Sequence, residues 1–159
     1  MLYVKKGTLL QRAGEHHHEV YVVQQGLLRS YALDAKGREH IYMFAPEGWI
    51  IADNAPPGEV SELYIDALED STLLVRTKRL DSDVVDPLPL VRRIAVLQRR
   101  IIMLMSAPAI ERYQHFCETY PQIVQRVPQR MIASYLGITP EALSKVKRQD
   151  AQRQAEEKS

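Results

Sequence analysis

Two patterns of hydrophobic and polar positions divide the chain. Up to about residue 80, short apolar and β-branched runs alternate with turns that contain glycine. Such runs, with turn signals about every 8–12 residues, predict an all-β sandwich or barrel. The segment 33–37, which ends in Gly37, predicts a hairpin between two of these strands. The runs lie at residues 20–23, 27–33, 38–44, 63–68 and 72–77.

From residue 90 the pattern becomes helical. Residues 90–106 contain neither glycine nor proline, and Ile94, Leu97, Ile101 and Leu104 follow one another at intervals of three, four and three. This repeat predicts one apolar face of a helix, of the kind that pairs in a coiled coil. Two heptads leave open whether the face packs on the chain's own β domain or pairs with a second copy.

A further helix is expected directly after this one. Ser106 is a candidate N-cap and Pro108 suits a first helical turn, so the sequence predicts a restart there. The new helix should continue to about residue 119, before Pro121, and Pro128 then precedes another helical stretch.

The segment 129–149, QRMIASYLGITPEALSKVKRQ, predicts two short helices joined by a tight turn. Gly137 follows the first helix, 129–136, at a position where a turn needs positive φ. Thr139 is expected to cap the second helix, and Pro140 to begin it. Leu143 and Val146 should then face inward. This layout is typical of a helix-turn-helix whose second helix enters the major groove of DNA. The side chains expected to face outward are Glu141, Ser144, Lys145, Lys147 and Arg148.

The distribution of charge supports this interpretation. The whole chain has 21 basic and 20 acidic residues, which says little about partners. Residues 126–149, however, hold five bases against one acid, Glu141. A local basic surface attracts phosphates even on a nearly neutral protein. A solvated helix face is the alternative explanation, and Glu141 would then only complement the helix dipole. The bases are Arg126, Arg130, Lys145, Lys147 and Arg148.

Composition limits the class of protein. The single cysteine, Cys117, excludes a disulfide within the chain and indicates a reducing compartment. An iron–sulfur cluster would need several cysteines. No apolar leader and no run of about 18 apolar residues is visible, so a cytoplasmic protein without a membrane segment is expected.

The chain resembles the Crp/Fnr family of regulators over nearly its whole length. The stretches KKGTLLQRAG and VYVVQQGLLRSYALDAKGREHIYMFAPEGW are similar to the family's cyclic-nucleotide-binding β-roll. ERYQHFCETYP and RVPQRMIASYLGITPEALSKVKR are similar to a subgroup with a shortened C-terminal domain. The resemblance implies an α+β chain in three parts. These are an N-terminal double-stranded β-helix (jelly roll) at 1–86, a dimerisation helix at 87–106 and a helix-turn-helix domain at 107–159.

The resemblance also implies double-stranded DNA and a second copy of the chain as partners. The family's Glu-x-x-Ser-Arg positions fall on Glu141, Ser144 and Lys145. Lysine lacks the bidentate fork of arginine for guanine, so an altered or weaker base preference is expected. The β-hairpin wing of the family has no counterpart, and the polar residues 150–159 are expected to fray. The complete expected DNA-binding set is Gln129, Arg130, Thr139, Glu141, Ser144, Lys145, Lys147 and Arg148.

For the roll, the resemblance places the phosphate-binding cassette at residues 49–63. The family's Arg-Ser pair falls on Ser61 and Glu62, and its ribose-binding glutamate falls near Asp53. Residues 44–68 contain no lysine or arginine and five acids, whereas a cyclic phosphate needs a paired cation. We therefore expect no binding of cyclic AMP or cyclic GMP and no cofactor. An uncharged or cationic effector, or an empty structural roll, remains open. The pocket positions are Phe44, Trp49, Ile51, Asp53, Ser61, Glu62 and Leu63.

Two other functions fit parts of the sequence. His16, His18 and Glu19 partly match the first metal-binding motif of the cupin enzymes, but alternating side chains on a strand would point the histidines away from Glu19. Ile51 stands where the second motif needs a histidine. A catalytic metal needs about three ligands, so no metal site and no enzyme are predicted. The remaining alternative is the same fold acting as a ligand sensor or through protein partners without binding DNA.

Overall fold

The computed structural model describes residues 1–53, 55, 59–78 and 88–156, without the side chains of residues 89, 90, 92 and 93. The chain divides into two compact units, Met1–Leu80 and Asp81–Ser159. The domain boundary predicted at residue 86 lies outside the described residues and stays a prediction.

The first unit is a β-roll of two antiparallel sheets, as predicted. One sheet has the strand order β1-β8-β3-β6 and the other the order β2-β7-β4-β5. The five predicted runs correspond to β3, β4, β5, β7 and β8, whereas β1, β2 and β6 have only two or three residues and leave little pattern. The strands are β1 Leu2–Val4, β2 Leu9–Gln11, β3 Glu19–Gln25, β4 Leu28–Leu33, β5 Glu39–Ala45, β6 Ile50–Ile51, β7 Tyr64–Ala67 and β8 Ser71–Thr77.

Side chains that alternate along the strands fill the core of the roll. Val23, Leu28, Ile65 and Leu73 are completely buried together between the strands. Because strand side chains have a period of two, their neighbours point to the outer face of each sheet. This periodicity explains why short apolar runs were sufficient to predict the roll.

Two turns depend on specific residues. The predicted hairpin between β4 and β5 is present, and the Asp34 carboxylate accepts hydrogen bonds from the backbone N–H groups of Lys36 (2.8 Å) and Arg38 (2.9 Å). Gly26 has φ of 96°, and a Cβ atom there would come within 2.6 Å of the carbonyl oxygen of Asp70. The positive φ and the close approach of Asp70 therefore explain why glycine stands at position 26.

The second unit consists of four helices, α1 Leu88–Ser106, α2 Ala109–Thr119, α3 Gln129–Leu136 and α4 Pro140–Glu156. Phe116 is completely buried, and its ring centroid lies 5.3 Å from those of both Tyr120 and Tyr135. The Arg100 guanidinium of α1 lies 3.9 Å from the centroid of the Tyr135 ring. Among the described residues, no helix is both long and apolar enough to cross a bilayer.

The start of α2 differs from the prediction. Ser106 is not its N-cap, because Ser106 lies in the last turn of α1 and its hydroxyl donates to the carbonyl oxygen of Ile102 at 2.7 Å. Pro108 occupies the N-cap position without a side-chain hydrogen bond. A serine inside a helix readily bonds back to the preceding turn, and this bond removes its hydroxyl from capping.

The end of α4 also differs from the prediction. Residues 150–156, expected to fray, are helical, and residues 157–159 lie outside the described part. Asp150 is buried, and its carboxylate accepts hydrogen bonds of 2.9 Å from the side-chain amides of both Gln114 and Gln154. Since Gln114 belongs to α2, this contact fastens the last turns of α4 to the body of the unit. In the described chain, no β-hairpin follows α4.

Candidate nucleic-acid interface and roll interior

The turn between α3 and α4 is held by a glycine and an arginine. Gly137 has φ of 66° and ψ of 33°, and its N–H donates to the carbonyl oxygens of Ala133 and Ser134. The N–H of Ile138 also reaches the carbonyl oxygen of Ala133, at 3.0 Å. This pattern is the left-handed helix end that glycine favours. Arg112 of α2 donates to the carbonyl oxygen of Leu136 at 3.3 Å, so the turn is fixed on its outer side as well.

Thr139 caps α4 as predicted. Its hydroxyl oxygen accepts a hydrogen bond from the N–H of Ala142 at 3.2 Å, and Pro140 is the first helical residue. The carboxylate of Glu141 bonds to its own backbone N–H and to the Thr139 hydroxyl, and these bonds lower the pKa of Glu141. Glu141 is therefore charged at the positive end of the helix, where a negative charge is stabilising.

One side of α4 is polar and open to solvent. Leu143 and Val146 are buried in the core of the unit, as expected. On the opposite side, side chains spaced by three or four residues share one surface. We call this surface the α4 outer face. It consists of the exposed residues Glu141, Ser144, Lys145 and Arg148.

The other predicted DNA-binding residues fall in two places. Gln129 and Arg130 are exposed at the start of α3. Lys147 differs from the expectation that it faces outward with Arg148, because it is half-buried and lines a groove of about 680 Å³ between α2 and α4. At about 100° per residue, Lys147 lies beside the buried side of the helix. The structure therefore separates Lys147 from the α4 outer face.

The same groove contains the single cysteine. Cys117 is half-buried, and burial raises the pKa of its thiol against the opposing effect of a hydrogen bond with Tyr113. A raised pKa lowers the fraction of reactive thiolate at neutral pH. Partial burial and the raised pKa favour a structural rather than a reactive role for the Cys117 thiol.

Inside the roll, two of the predicted pocket residues bind each other. Asp53 and Ser61 are 4% and 3% exposed, and the Ser61 hydroxyl donates to the Asp53 carboxylate. Gln11, which is 1% exposed, donates through its amide nitrogen to Asp53 at 3.1 Å and to Ser61 at 2.7 Å. We call Gln11, Asp53 and Ser61 the roll polar cluster.

The carboxyl group of Asp53 is ionised in this cluster. Burial by itself raises its pKa, but hydrogen bonds from Ser61 and from the N–H of Ala55, together with the positive charge of Lys78, outweigh burial and lower the pKa overall. The cluster thus keeps a buried negative charge through local donors and one nearby cation.

Gln11 and Lys78 were not found by sequence reasoning. Residues 44–68 do lack lysine and arginine, but the fold brings Lys78 towards Asp53 from the end of β8. The window 44–68 therefore missed a positive charge that acts on Asp53 from outside that window. Both side chains have a buried atom without a hydrogen-bond partner among the described residues, Nζ of Lys78 and Oε1 of Gln11. Nothing in the sequence near Gln11 or Lys78 indicated that the fold brings either residue to Asp53.

The remaining pocket positions do not form one cavity wall. Ile51 is buried in the roll core and Trp49 packs against it, whereas Glu62 is exposed and Leu63 is half-buried. Leu63 contributes backbone groups: its carbonyl oxygen accepts a 2.9 Å bond from Gln11, and its N–H donates to the Ser61 hydroxyl oxygen at 3.2 Å. Phe44 is buried, but it alternates with the core residues of β5 and pairs with Arg29 of β4. Phe44 therefore lies on the outer face of its sheet.

The buried arginine of the roll, Arg29, is engaged on that outer face. It is 5% exposed and makes a two-pronged contact with Asp66, with N–O distances of 2.8 and 2.9 Å, and a second contact with Glu39. Its guanidinium also lies 4.2 Å from the centroid of the Tyr31 ring. Two carboxylates already satisfy this cation, so it is not free to bind a phosphate.

The histidine cluster does not form a metal site in the described residues. His17 lies 3.6 Å from Glu15 and 3.7 Å from Glu19, and His16 lies 3.1 Å from the carbonyl oxygen of Glu59. Across the described part of the chain, no group of three or more histidine, cysteine or acidic side chains is placed to hold a metal ion.

The four residues of the predicted dimer face of α1 differ in exposure. Ile94 and Ile101 are 48% and 57% exposed, but Leu97 and Leu104 are half-buried. A Cδ atom of Leu104 lies 4.0 Å from the position that a Cβ on Gly137 would take, so Leu104 faces its own helix-turn-helix. Leu97 lies two turns earlier on the same side of the helix.

Comparison with known proteins agrees with this architecture. Residues 1–79 match the family model described as a cyclic nucleotide-binding domain. The chain is 25% identical over 166 residues to the fumarate and nitrate reduction regulatory protein of Vibrio cholerae serotype O1, and the match covers 90% of this chain and 65% of that protein. The chain thus spans just under two thirds of the length of this curated relative.

Solved structures of other proteins share the fold. FixK2 from Bradyrhizobium japonicum has a TM-score of 0.73 and 20% identity, with 96% of this chain and 84% of that chain covered. A CRP/FNR-family transcriptional regulator from Thermus thermophilus has a TM-score of 0.69 and 19% identity, with coverages of 96% and 86%. None of these three proteins is named as an enzyme. In its roll and its helix-turn-helix, and by these relatives, the chain is similar to the Crp/Fnr family of transcriptional regulators.

Proposed function

We propose that this protein is a homodimeric regulator that binds double-stranded DNA through the α4 outer face and does not bind cyclic AMP or cyclic GMP. The observation that carries the proposal is the exposure of Lys145 and Arg148 on a helix whose other side is locked into a packed core. A DNA-binding role implies a cytoplasmic location.

The residue types on the α4 outer face suit the major groove. The groove is about 12 Å wide and admits one helix, and a carboxylate such as Glu141 can accept a hydrogen bond from a cytosine amino group. Lys145 and Arg148 can reach phosphates or guanine edges. Gln129, Arg130 and Thr139 lie at or next to helix starts, which commonly contact the sugar-phosphate backbone. Phosphate contacts fix position, whereas Glu141 is expected to contribute to sequence preference.

The homodimer rests on the exposed apolar side chains of α1. Half of the exposed large hydrophobic side chains in the described chain, seven of fourteen, lie on this one helix of 19 residues. Removing such a side chain from water contributes about 1.5–3 kcal/mol, which favours a helix pair over an exposed stripe. A dimer would present two α4 outer faces to half-sites about 34 Å apart, one turn of DNA. The seven are Leu88, Val91, Ile94, Val96, Ile101, Ile102 and Met105, and all but Val96 lie towards one side of the helix.

The roll polar cluster argues against a cyclic nucleotide. Ser61 stands where the resemblance expects the phosphate-binding arginine, and its hydroxyl already donates its one proton to the Asp53 carboxylate. The ionised Asp53 carboxylate, whose pKa the positive charge of Lys78 helps to lower, would repel a cyclic phosphate. An effector of this roll, if the protein uses one, is therefore uncharged or cationic.

Calorimetric titration tests the roll directly. We expect no heat of binding from cyclic AMP, cyclic GMP or cyclic di-GMP, and micromolar binding of any of them would overturn this part of the proposal. Cyclic di-GMP is included because a structural relative from Xanthomonas campestris, 16% identical with a TM-score of 0.69 and covering 95% of this chain and 86% of its own, is titled a c-di-GMP responsive global regulator.

Selection of bound DNA from a random pool tests the interface. We expect recovered sites with two related half-sites about one helical turn apart. The Glu141→Ala variant should recover sites with a changed base preference, because the carboxylate acceptor is lost. The exposed Lys36→Ala variant in the β4–β5 hairpin should recover the wild-type sites. Failure of the wild-type protein to enrich any sequence would contradict sequence-specific DNA binding.

A second candidate function is a module that acts through protein partners. It is favoured by lysine at position 145, where the family resemblance expects arginine. This candidate predicts a dimer that shows no salt-dependent affinity for DNA. Phosphate contacts make true DNA binding fall steeply with salt, so the salt dependence separates the two functions.

A further inference from the structure

A single polar residue lies in the middle of the exposed apolar side of α1. At about 100° per residue, Gln98 lies between Ile94 and Met105 on one side and Val91 and Ile102 on the other. All four apolar side chains are between 48% and 81% exposed, and Gln98 is exposed as well. The apolar surface available to a partner is therefore interrupted at its centre by an amide.

The exposed positions follow a heptad repeat that differs from the one predicted from sequence. Starting at Val91, the series continues through Ile94, Gln98, Ile101 and Met105, at intervals of three, four, three and four. These intervals assign Val91, Gln98 and Met105 to a positions and the two isoleucines to d positions. Leu97 and Leu104 fall outside this series, in agreement with their partial burial.

We propose that Gln98 pairs with Gln98 of a second copy across the two-fold axis of a parallel α1 pair, and that this contact sets the register of the dimer. The inference rests on the homodimer of the proposed function. A single polar residue at an a position is known to specify register and oligomeric state, at a cost in stability. Here the amide would do so within an otherwise apolar seam.

Two observations favour a second copy as the occupant. The side-chain amide of glutamine carries both donors and an acceptor, so two facing copies satisfy each other. In a parallel, in-register pair an a position faces its own copy, whereas an antiparallel or shifted pair would place Gln98 against an apolar side chain. The amide would then lose water without gaining a partner, which disfavours those arrangements.

Disulfide trapping in the full-length chain tests the contact. In a Cys117→Ser background, which removes the native thiol, we would compare Gln98→Cys with Val96→Cys and Leu97→Cys under mild oxidation. Val96 is a matched control, since it is 54% exposed and only two positions away but faces about 160° from Gln98. We expect rapid covalent dimer formation from Gln98→Cys only. Stronger trapping from Leu97→Cys or Val96→Cys would overturn the proposal.

Sedimentation equilibrium of Gln98→Leu gives an independent readout. Replacing the amide should lower the dimer dissociation constant by about tenfold or more, because the seam gains apolar contact and loses a polar group. Val96→Leu should leave the constant unchanged. A Gln98→Leu dimer no tighter than the wild type would contradict the proposal. A wild-type protein that stays monomeric contradicts the homodimer itself, whereas a wild-type dimer without Gln98→Cys trapping contradicts only the register contact.

Discussion

Asp53 carries a negative charge inside the roll because three neighbours hold it there. The hydroxyl of Ser61, the backbone N–H of Ala55 and the charge of Lys78 together outweigh the effect of burial on its pKa. The family resemblance identified Asp53 and Ser61 as pocket residues from the sequence alone. It could not show that they bind each other, because Gln11 and Lys78, which complete the arrangement, come from strands distant in sequence.

At the scale of single residues, we predict that Asp53→Asn changes how the free energy of unfolding depends on pH. A carboxyl group whose pKa is lowered by folding stabilises the folded state at pH values above its unfolded pKa of about 3.9. This stabilisation is lost as the pH falls through the lower pKa of the folded state. The wild type should therefore exceed the variant in free energy of unfolding at pH 7, and the two should converge below about pH 4. Urea unfolding at several pH values measures this, and a difference independent of pH would contradict it.

Ser61→Ala should destabilise the protein by about 1–3 kcal/mol, because buried partners lose their hydrogen bonds. Gln11 and Asp53 would both be deprived of the hydroxyl that they bind. The control is Ser144→Ala on the exposed α4 outer face, which should change the free energy of unfolding by no more than about 0.5 kcal/mol. Equal effects of the two variants in urea unfolding would count against a structural role for the cluster.

At the scale of elements, local signals predicted the ends of helices well where proline or glycine marks them. Pro128 and Gly137 enclose α3, and Thr139 with Pro140 marks the start of α4, so these boundaries were predicted correctly. The end of α4 was missed, because the contact between Asp150 and Gln114 joins residues 36 positions apart. Strands of two or three residues were missed because they are too short to show a period.

Asp150→Ala should therefore loosen the last turns of α4. Removing the hydrogen bonds to Gln114 and Gln154 should speed amide hydrogen exchange in residues 151–156, since local opening no longer breaks a contact with α2. The exposed Glu118→Ala variant, in the same groove, is the control and should leave that exchange unchanged. Unchanged protection in Asp150→Ala would show that another contact holds the helix end.

At the scale of the whole molecule, a single helix accounts for much of the exposed apolar surface. The sequence predicted an apolar face on α1 but assigned Leu97 and Leu104 to it, because periodicity alone cannot distinguish the side packed on its own unit from the side left open. Both are partly buried, and Leu104 faces the helix-turn-helix of its own unit, whereas Ile94 and Ile101 are exposed to solvent.

Ile101→Glu should consequently weaken the dimer and, with it, the affinity for a two-half-site DNA. A charge in the apolar seam loses hydration on pairing and repels its copy, so dissociation should increase by at least about tenfold. Val96→Glu, also exposed and on the opposite side of the helix, should leave the dimer intact. Analytical ultracentrifugation and DNA titration of the same samples measure both effects. Full DNA affinity in a monomeric Ile101→Glu protein would contradict the dimer model.

The most direct test of DNA binding through the α4 outer face is the affinity for a selected DNA site as a function of salt concentration. For the wild type we predict a steep linear fall of log affinity with log salt. Lys145→Ala and Arg148→Ala should weaken binding, and each variant should reduce the slope by about one for every phosphate that the truncated side chain no longer reaches. Lys36→Ala should match the wild type. Identical affinities and slopes for all four proteins would contradict the assignment of the α4 outer face as the DNA-binding surface.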